Sequence, residues 1–148
     1  MRKILVSACL LGLSCRYDGK SKPVDEVIAL KEKYSLIPVC PEILGGLPTP
    51  RIPCEIKKGR ALNREGEDKT SEYTKGAEEV LRLARLLECY TAVLKKKSPS
   101  CGSGWVYDGT FSGKLTDGDG ITASLLKEHG IRVFSEKLGC QLSKFTDW

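Results

Sequence analysis

Four short apolar segments, separated by stretches of helical periodicity, most strongly limit how this chain of 148 residues can fold. Each segment is a compact run of the kind that forms a strand buried on both faces of a sheet. The segments span residues 4–8, 36–39, 91–94 and 131–135. Pro38 lies in the second segment, where it limits the ladder hydrogen bonding of the strand or marks a bulge.

Three amphipathic segments connect these predicted strands. Residues 24–34, 71–89 and 120–129 carry apolar side chains at helical spacing, and Gly130 follows the last segment as a helix stop. Strands that alternate with helices need crossover connections and form a mainly parallel sheet. The sequence therefore predicts an α/β fold, a Rossmann-like layered domain with a mainly parallel four-stranded sheet. The length of the chain predicts one domain, residues 1–148.

The remaining segments are irregular. Residues 41–53 hold four prolines and two glycines, which predicts a long ordered loop rather than a helix. Residues 55–68 are charged and predict a small hairpin or flap. Residues 104–118 predict a flap with a turn at Asp108-Gly109. The tail, residues 139–148, has no clear periodicity.

Cysteines follow three of the four predicted strands. Cys9 follows the first, Cys40 the second and Cys101 the third. Because ligand sites of parallel sheets lie outside the carboxyl ends of the strands, these three thiols are expected to converge on one edge. Near Cys101, the run Lys95–Lys97 and neighbouring hydroxyl groups are expected to favour thiolate over thiol.

The cysteine content indicates metal binding in a reducing compartment. No apolar run approaches the roughly 18 residues of a membrane span, and the N-terminus does not resemble a secretory signal, so a cytoplasmic location away from membranes is expected. Seven cysteines, an odd number, are unlikely to form a disulfide framework there. Metal or cluster binding is the better interpretation for some of them.

Iron–sulfur chemistry suits the spacing better than zinc. Zinc sites usually combine closely spaced pairs of ligands, and the chain has no C-x-x-C motif. Its one histidine, His129, is predicted at a helix end, where it complements the helix dipole. Three isolated cysteines suit a cluster bound through three corners, with the fourth iron open to substrate. Three buried cysteines with no ligand remain an equal alternative from spacing alone.

The other four cysteines have simpler interpretations. Cys89 is predicted on a helix among core leucines, and Cys54 and Cys140 lack a strand-end position. Cys15, six residues after Cys9, could be a fourth ligand, a resolving thiol or a small residue that fills the loop.

Three motifs together resemble the thiouracil desulfurase family. They are SACLLG at 7–12 with RYDG at 16–19, PVCPE at 38–42 with GGLPTPR at 45–51, and Lys95 with SPSCG at 98–102. The resemblance extends over about residues 1–137. Cys15 and Cys54 depart from the family, whose members often carry a residue other than cysteine at the first position and commonly alanine at the second.

The resemblance implies a specific site. Its cofactor is a 4Fe–4S cluster on the cysteines that match Cys9, Cys40 and Cys101, with one iron not ligated by protein. Its catalytic groups match Glu42 and a serine of the turn that contains Ser98 and Ser100. The implied enzyme is an iron–sulfur-dependent desulfurase that removes sulfur from a small thiolated base such as thiouracil and leaves oxygen in its place, without a redox step.

The chemistry of these residues agrees with that activity. Glu42 can move protons as water adds to the carbon of a thiocarbonyl. Ser98 or Ser100 can hold the water or the polar groups of the substrate. Capping of a loop or turn is the structural alternative for the carboxylate and for the serines. Three further residues are expected either to bind substrate or to brace the loops, and these are Arg16, Asp18 and Arg51.

Two other classes of function compete with this one. The net charge of +5 and the lysines at 95–97 are compatible with a module that binds nucleic acid. Aromatic residues are sparse and no RNA-binding signature is present, which disfavours it. The second class is a thiol redox or sulfur-carrier protein that uses Cys9 and Cys15 without a cluster. A broad brown colour after anaerobic purification would distinguish a cluster protein from both.

Overall fold

The computed structural model describes residues 1–139 and Leu142. The strands are β1 (Arg2–Ser7), β2 (Tyr34–Val39), β3 (Cys54–Lys57), β4 (Arg60–Asn63), β5 (Thr91–Leu94), β6 (Trp105–Tyr107), β7 (Leu115–Asp117) and β8 (Arg132–Ser135). The helices are α1 (Asp25–Ile28), α2 (Pro41–Leu44), α3 (Thr70–Leu86), α4 (Ile121–Glu128) and α5 (Glu136–Gly139). Short 3-10 helices span Ala8–Leu11 and Ala29–Glu32.

The central sheet has four parallel strands in the order β2-β1-β5-β8. This confirms the predicted α/β fold and its parallel sheet. From β1 the chain connects to β2 on one side, and after β2 it crosses to β5 on the other side of β1. The connection from β1 to β2 and the connection from β5 to β8 therefore run in opposite directions along the sheet. Such a switch point opens a crevice at the carboxyl ends of the two strands. Pro38 lies on β2, an edge strand, where a missing amide hydrogen costs least.

Successive side chains of the strands pack into two separate cores. Leu5 and Leu94 face one side with the inner faces of α3 and α4. Ile4 and Val6 face the other side, where Leu10, Val27 and Leu30 cover them. Because alternate residues of a strand point to opposite faces, an apolar run without polar interruptions can fill both cores.

The first predicted helix is shorter than its periodicity indicates. Residues 24–34 form only α1 and the 3-10 helix that follows it, and Tyr34 already belongs to β2. Tyr34 pairs with Arg2 in the parallel ladder, which ends the helix early. The long helix α3 also stops before Cys89, so the prediction of Cys89 on a helix is wrong. Its burial is confirmed, with an exposed fraction of 1%. The predicted last helix matches α4, and His129 is its C-cap.

The prediction that residues 41–53 contain no helix is wrong for the first four of them, which form α2. Pro41 at the first helical position fixes a helical backbone angle where no amide hydrogen bond is needed. Two glycines let α2 approach α3 closely. A Cβ atom on Gly76 would lie 1.9 Å from the carbonyl oxygen of Pro41, and one on Gly45 would lie 2.0 Å from that of Glu72.

Both predicted flaps are hairpins. β3 and β4 are joined by a tight turn whose central residues, Lys58 and Gly59, both have positive φ. β6 and β7 are antiparallel, and residues 108–114 join them in a loop that begins at the predicted Asp108-Gly109 position, where Gly109 has positive φ. The carboxylate of Glu55 accepts hydrogen bonds from the amides of Gly109 (3.0 Å) and Phe111 (3.1 Å), which ties the two hairpins together.

The last helix, α5, follows β8 directly. Cys140 and the tail after it, apart from Leu142, lie outside the described residues. Within the part that is described, no helix combines the length and apolarity of a bilayer span.

Candidate active site

Four cysteines, Cys15 and the three that follow predicted strands, line one cavity of about 200 Å³ at the carboxyl edge of the sheet. Cys9 lies in the 3-10 helix directly after β1, Cys40 is the N-cap of α2 after β2, and Cys101 lies in the loop after β5. The cavity therefore lies at the switch point of the sheet. The predicted convergence of these three side chains on one edge is present in the structure.

The loop that carries Cys101 is fixed by the N-terminus of α4. The amide of Ile121 donates to the carbonyl of Pro99 (2.8 Å), and the amide of Thr122 donates to that of Ser100 (2.9 Å). These contacts satisfy helix amides that have no partner within the helix. Gly120 permits the approach, because a Cβ atom there would lie 2.6 Å from the carbonyl oxygen of Ser100.

A chain of hydroxyl groups runs from this loop to a carboxylate. Oγ of Ser98 accepts hydrogen bonds from the amides of Ser100 (3.2 Å) and Cys101 (3.1 Å), and it lies 2.9 Å from Oγ of Ser100. The hydroxyl of Ser100 donates to Oε2 of Glu42 at 2.8 Å. Since Ser100 gives its one proton to Glu42, the hydroxyl of Ser98 must donate to Ser100.

The other oxygen of Glu42 is held by Arg51. Nε of Arg51 lies 2.9 Å from Oε1, and the side chains are only 6% (Arg51) and 13% (Glu42) exposed. Beneath them, the hydroxyl of the buried Tyr73 has side-chain hydrogen bonds with Glu42 and Cys54. Burial and the neighbouring carboxylate raise the pKa of Tyr73, so its hydroxyl stays protonated and can donate. Glu42 is thus oriented by donors on three elements.

Arg51 also connects two loops. One terminal nitrogen donates to the carbonyl oxygen of Cys15 at 2.9 Å. The other lies 3.1 Å from both the carbonyl oxygen of Pro48 and Oγ1 of Thr49. All three nitrogens of the Arg51 guanidinium therefore have hydrogen-bond partners within the protein. This is the pattern of a residue that braces the loops around Glu42.

Two of the thiols, those of Cys40 and Cys101, have raised pKa values and so favour the protonated form in the absence of a bound cation. Burial raises the pKa of Cys101 to about 12, although side-chain hydrogen-bond contacts with Ser7 and Ser100 oppose that shift. The pKa of Cys40 is raised mainly by its hydrogen bond with Cys15 and by burial. The prediction that lysines and hydroxyl groups near Cys101 favour the thiolate is therefore wrong, because burial is the largest effect and outweighs the hydrogen-bond contacts with the hydroxyl groups. Metal binding would have to displace these protons.

The donor set suits a cluster better than a single ion. Among the described residues, no three cysteine, histidine or acidic side chains are grouped as ligands of one metal. Thiols that enter one cavity from three separate loops match a cofactor with several metal atoms, because each ligand then binds a different iron. Cys9, Cys40 and Cys101 could hold such a group.

Comparison with known proteins identifies the family. The model of the 2-thiouracil desulfurase family matches residues 4–138. The chain belongs to this family.

Two relatives of this desulfurase family member are similar over nearly their whole lengths. An uncharacterized protein of Bacillus subtilis (strain 168), YbbK, is 43% identical over 143 residues, which cover 90% of this chain and 95% of that protein. The solved structure of a 4Fe-4S-dependent thiouracil desulfidase, TudS, is 44% identical, with a TM-score of 0.92 and coverage of 97% of both chains.

Lysines form one wall of the cavity in this desulfurase family member. Lys95, Lys96 and Lys97 all line it. Nζ of Lys95 lies 3.1 Å from Oε2 of Glu136, and the other carboxylate oxygen accepts from the amide of Lys96 at 2.7 Å. The amide of Lys95 donates to Oγ of Ser7 at 2.8 Å. The end of β5 is therefore held by β1 on one side and by the start of α5 on the other.

Of the predicted substrate-binding residues, Arg16 and Asp18 differ in their position relative to the cavity. Arg16 lines the cavity, whereas Asp18 is not among the lining residues. The two side chains are paired at 3.6 Å, and Asp18 also accepts from the amide of Lys20 at 3.0 Å. Arg16 faces the cavity and Asp18 holds the loop behind it.

Sequence reasoning missed Tyr73, Ser7 and Glu136 as parts of the site. Ser7 ends β1 within the SACLLG motif, so its position at the carboxyl edge was a usable signal. Glu136 follows β8, the fourth parallel strand, and the same rule applies to it. Tyr73 lies on the apolar face of α3, where the spacing predicts a buried core residue. Nothing in that spacing indicates a contact with Glu42.

Proposed function

We propose that the protein is an iron–sulfur-dependent desulfurase that removes sulfur from a thiolated base such as thiouracil and leaves oxygen in its place. One observation carries the proposal: three thiols share a cavity with the hydrogen-bonded pair Glu42 and Ser100. Family membership and a 44% identical relative that is a 4Fe-4S-dependent thiouracil desulfidase support it. The free thiols of the described chain suit a cytoplasmic location.

Cys9, Cys40 and Cys101 would hold the 4Fe–4S cluster and leave one iron without a protein ligand. Thiolate is the preferred ligand of such clusters. When bound, the cluster supplies a Lewis-acidic iron with affinity for the soft sulfur of a thiocarbonyl. The reaction balances without a redox step, since one water replaces the sulfur of the thiocarbonyl and hydrogen sulfide leaves.

Glu42 is the proposed acid–base group. Its Oε1 is held by Arg51, so Oε2 is the oxygen that faces Ser100 and exchanges protons. Glu42 would take a proton from the attacking water and return it as sulfide leaves. The buried contact with Arg51 keeps the carboxylate in one orientation, which limits the reorganisation needed during the reaction.

Of the two serines, Ser100 is proposed to take part in the reaction. Its hydroxyl contacts both Glu42 (2.8 Å) and, at 3.6 Å, the sulfur of Cys101. The hydroxyl of Ser98 accepts hydrogen bonds from two backbone amides and donates one to Ser100. We therefore propose that Ser98 orients the turn rather than taking part in the reaction. The two serines therefore differ in expected effect, although both lie in the same motif.

The basic residues that line the cavity with Glu42 would recognise the substrate. Arg16, Lys96 and Lys97 line the cavity and present donors to the ring oxygen and nitrogen acceptors of a small base. We assign Arg51 to the orientation of Glu42 and Asp18 to the support of Arg16. The ion pair with Glu136 gives Lys95 a fixed position on the same wall.

The direct test is anaerobic purification followed by three measurements on one sample. We expect a broad brown absorbance, about four iron and four sulfide per chain as the cluster type requires, and conversion of thiouracil to uracil with release of sulfide. Active protein without iron would overturn the proposal. Thiouracil turnover that depends on an added reductant would contradict the non-redox reaction.

A further inference from the structure

The cavity has an aromatic side chain to which the proposed reaction gives no role. Tyr107 ends β6, is half-buried and lines the cavity with the proposed cluster ligands. Among the residues that the structure describes, one other aromatic side chain, that of Tyr17, lines the same cavity. The guanidinium of Arg16 already lies 5.7 Å from the centre of the Tyr17 ring, and Tyr17 is 41% exposed. Tyr107 is therefore the aromatic residue better placed to meet a ligand.

The residue before Tyr107 attaches β6 to the loop of Cys101. The side chain of Val106 is buried, and a Cβ atom on Gly102 would lie 3.0 Å from its Cγ1 atom. The backbone of Val106 also forms an isolated parallel bridge with Lys97, which lines the cavity. These two contacts hold the start of the β6–β7 hairpin beside the turn of Cys101 and beside the lysines.

The residues after Tyr107 are attached to the other hairpin. Oε1 of Glu55, on β3, accepts hydrogen bonds from the amides of Gly109 (3.0 Å) and Phe111 (3.1 Å). A Cβ atom on Gly109 would lie 2.9 Å from the carbonyl oxygen of Ile56, so glycine permits this approach. The guanidinium of Arg64 lies 5.5 Å from the centre of the Phe111 ring. The backbone is therefore held on both sides of Tyr107.

The β3–β4 hairpin is in turn attached to the long helix α3. The amide of Ala61 donates to Oγ1 of Thr70 at 2.9 Å, and the amide of Lys69 donates to the carbonyl of Ala61 at 2.8 Å. Glu55 thus connects the hairpin of Tyr107 to the main body of the protein. Because the backbone around the ring is fixed without a ligand, a contact with the ring costs little ordering entropy.

We propose that Tyr107 is a specificity-determining residue whose ring packs against the plane of the substrate ring and selects planar thiolated bases over puckered rings with the same polar groups. This inference rests on the proposed function and names the substrate class of the same site. Every base has a π face, and loss of one aromatic contact with it typically weakens binding by roughly five- to 100-fold. Glu55 is a positioning residue, since it acts through the hairpin.

The test compares uracil with dihydrouracil. The two molecules share their carbonyl and ring N–H groups, but reduction of the ring double bond makes dihydrouracil puckered. Neither contains sulfur, so the reaction cannot consume them, and binding to the anaerobically purified full chain is measured by equilibrium dialysis. We expect the unmodified chain to bind uracil roughly tenfold more tightly than dihydrouracil.

Replacement of Tyr107 should remove this preference. In Tyr107→Leu we expect the two affinities to agree within about twofold, because leucine has no π face to offer. The KM for thiouracil should rise roughly tenfold and kcat per cluster should change less than about threefold, since the contact is equal in the ground and transition states. Tyr107→Phe keeps the ring and should retain the preference.

The matched control is Trp105→Leu. Trp105 lies two residues before Tyr107 on β6, so the two side chains share a face of the strand. Trp105 is 57% exposed and is not among the residues that line the cavity. Loss of this aromatic ring should leave the preference for uracil unchanged.

Two replacements of Glu55 test the positioning role. Glu55→Ala removes the acceptor of both amides, so we expect it to reduce the preference for uracil as Tyr107→Leu does. Glu55→Gln keeps a side-chain oxygen that can accept both hydrogen bonds and should restore the preference. A purely structural role of Glu55 would change thermal unfolding in Glu55→Ala but leave the ratio of the two affinities as it is in the unmodified chain.

Three results would overturn the inference. They are the absence of a preference for uracil in the unmodified chain, including no binding of either probe, a preference that persists in Tyr107→Leu, and a preference that is lost in Trp105→Leu or Tyr17→Leu instead. A chain that prefers uracil through Tyr107 but releases no sulfide from thiouracil would contradict the proposed function alone. Thiouracil turnover with an unchanged preference in Tyr107→Leu would contradict the inference alone.

Discussion

The hydroxyl of Ser100 donates a hydrogen bond of 2.8 Å to Oε2 of Glu42, although the two residues are 58 positions apart in the sequence. The contact joins α2 to the loop that carries Cys101. It requires that β1, β2 and β5 be correctly paired, because those strands place α2 and the loop beside each other. The acid–base pair and the three thiols are therefore products of one sheet topology.

Glu42→Gln separates chemistry from cluster binding. Glutamine keeps the size of the side chain but cannot carry a proton between water and the leaving sulfur. We expect near-normal iron content and a loss of turnover per cluster of roughly 100-fold or more, about 3 kcal/mol of transition-state stabilisation. The measurement is turnover divided by bound cluster. A value within about threefold of the unmodified protein would remove Glu42 from the mechanism.

Ser100→Ala and Ser98→Ala are a matched pair within one turn. Loss of the Ser100 hydroxyl removes the contact with Glu42, so we expect turnover to fall about 10- to 100-fold with little change in the temperature of unfolding. Loss of the Ser98 hydroxyl leaves two amides without their acceptor, at a cost of about 1–3 kcal/mol in the free energy of unfolding. Turnover and thermal unfolding of both variants check the prediction. Equal effects on both measurements would contradict the separate roles.

Single replacements of the thiols test the ligand set. Cys9→Ala, Cys40→Ala and Cys101→Ala are each expected to abolish cluster loading, because only three protein ligands are available. Cys54→Ala and Cys89→Ala should load normally, and Cys15→Ala should keep the cluster, because Cys15 is not one of the three proposed ligands. We expect the same of Cys140→Ala, a residue outside the described part of the chain. Iron and sulfide analysis gives the answer, and full occupancy in Cys40→Ala would be incompatible with the proposed site.

Oxygen sensitivity tests the proposed open iron. An iron without a protein ligand, facing a cavity that admits small molecules, is accessible to oxidants as well as to substrate. We expect the brown absorbance and the desulfurase activity to decay together when the protein is exposed to air. Both are followed in the same sample over time. Activity that persists after complete bleaching would favour chemistry by free thiols.

The parallel sheet and the convergence of the thiols were predictable because both depend on local sequence patterns and on the general topology of parallel sheets. Buried strands of a parallel sheet are continuous apolar runs, and their carboxyl ends meet at one edge, so the positions of Cys9, Cys40 and Cys101 follow from strand ends alone. No tertiary contact had to be known for this step.

Other parts of the site depend on packing that sequence patterns do not encode. The proline-rich segment after Cys40 contains α2 because Gly45 and Gly76 allow two helices to touch, and neither glycine has a local signature of that contact. Tyr73 has the spacing of a core residue, yet its hydroxyl meets Glu42. The pKa of Cys101 is governed by burial, which outweighs the hydrogen-bond contacts with Ser7 and Ser100 that would favour the thiolate.

Gly76→Ala tests whether the contact between α2 and α3 sets the position of the site. In an open helix this change would be stabilising by about 0.4–1 kcal/mol, because alanine restricts the unfolded chain. Here the added methyl group would lie 1.9 Å from the carbonyl oxygen of Pro41, which is backbone and cannot rotate away. Overpacking of this kind costs about 1–3 kcal/mol or more, so the steric term wins and the protein should be destabilised.

The helix that would be displaced is α2, which begins directly after Cys40 and carries Glu42. We therefore expect Gly76→Ala to disturb the site as well as to lower the stability of the protein. We expect Gly76→Ala to load less iron than the unmodified chain at a temperature where both are folded. Lys75→Ala is the matched control on the same helix, since Lys75 is exposed and should change neither stability nor loading by a measurable amount. Thermal unfolding and iron content are measured on both variants. A Gly76→Ala protein with raised stability and full iron content would show that α2 does not depend on this contact.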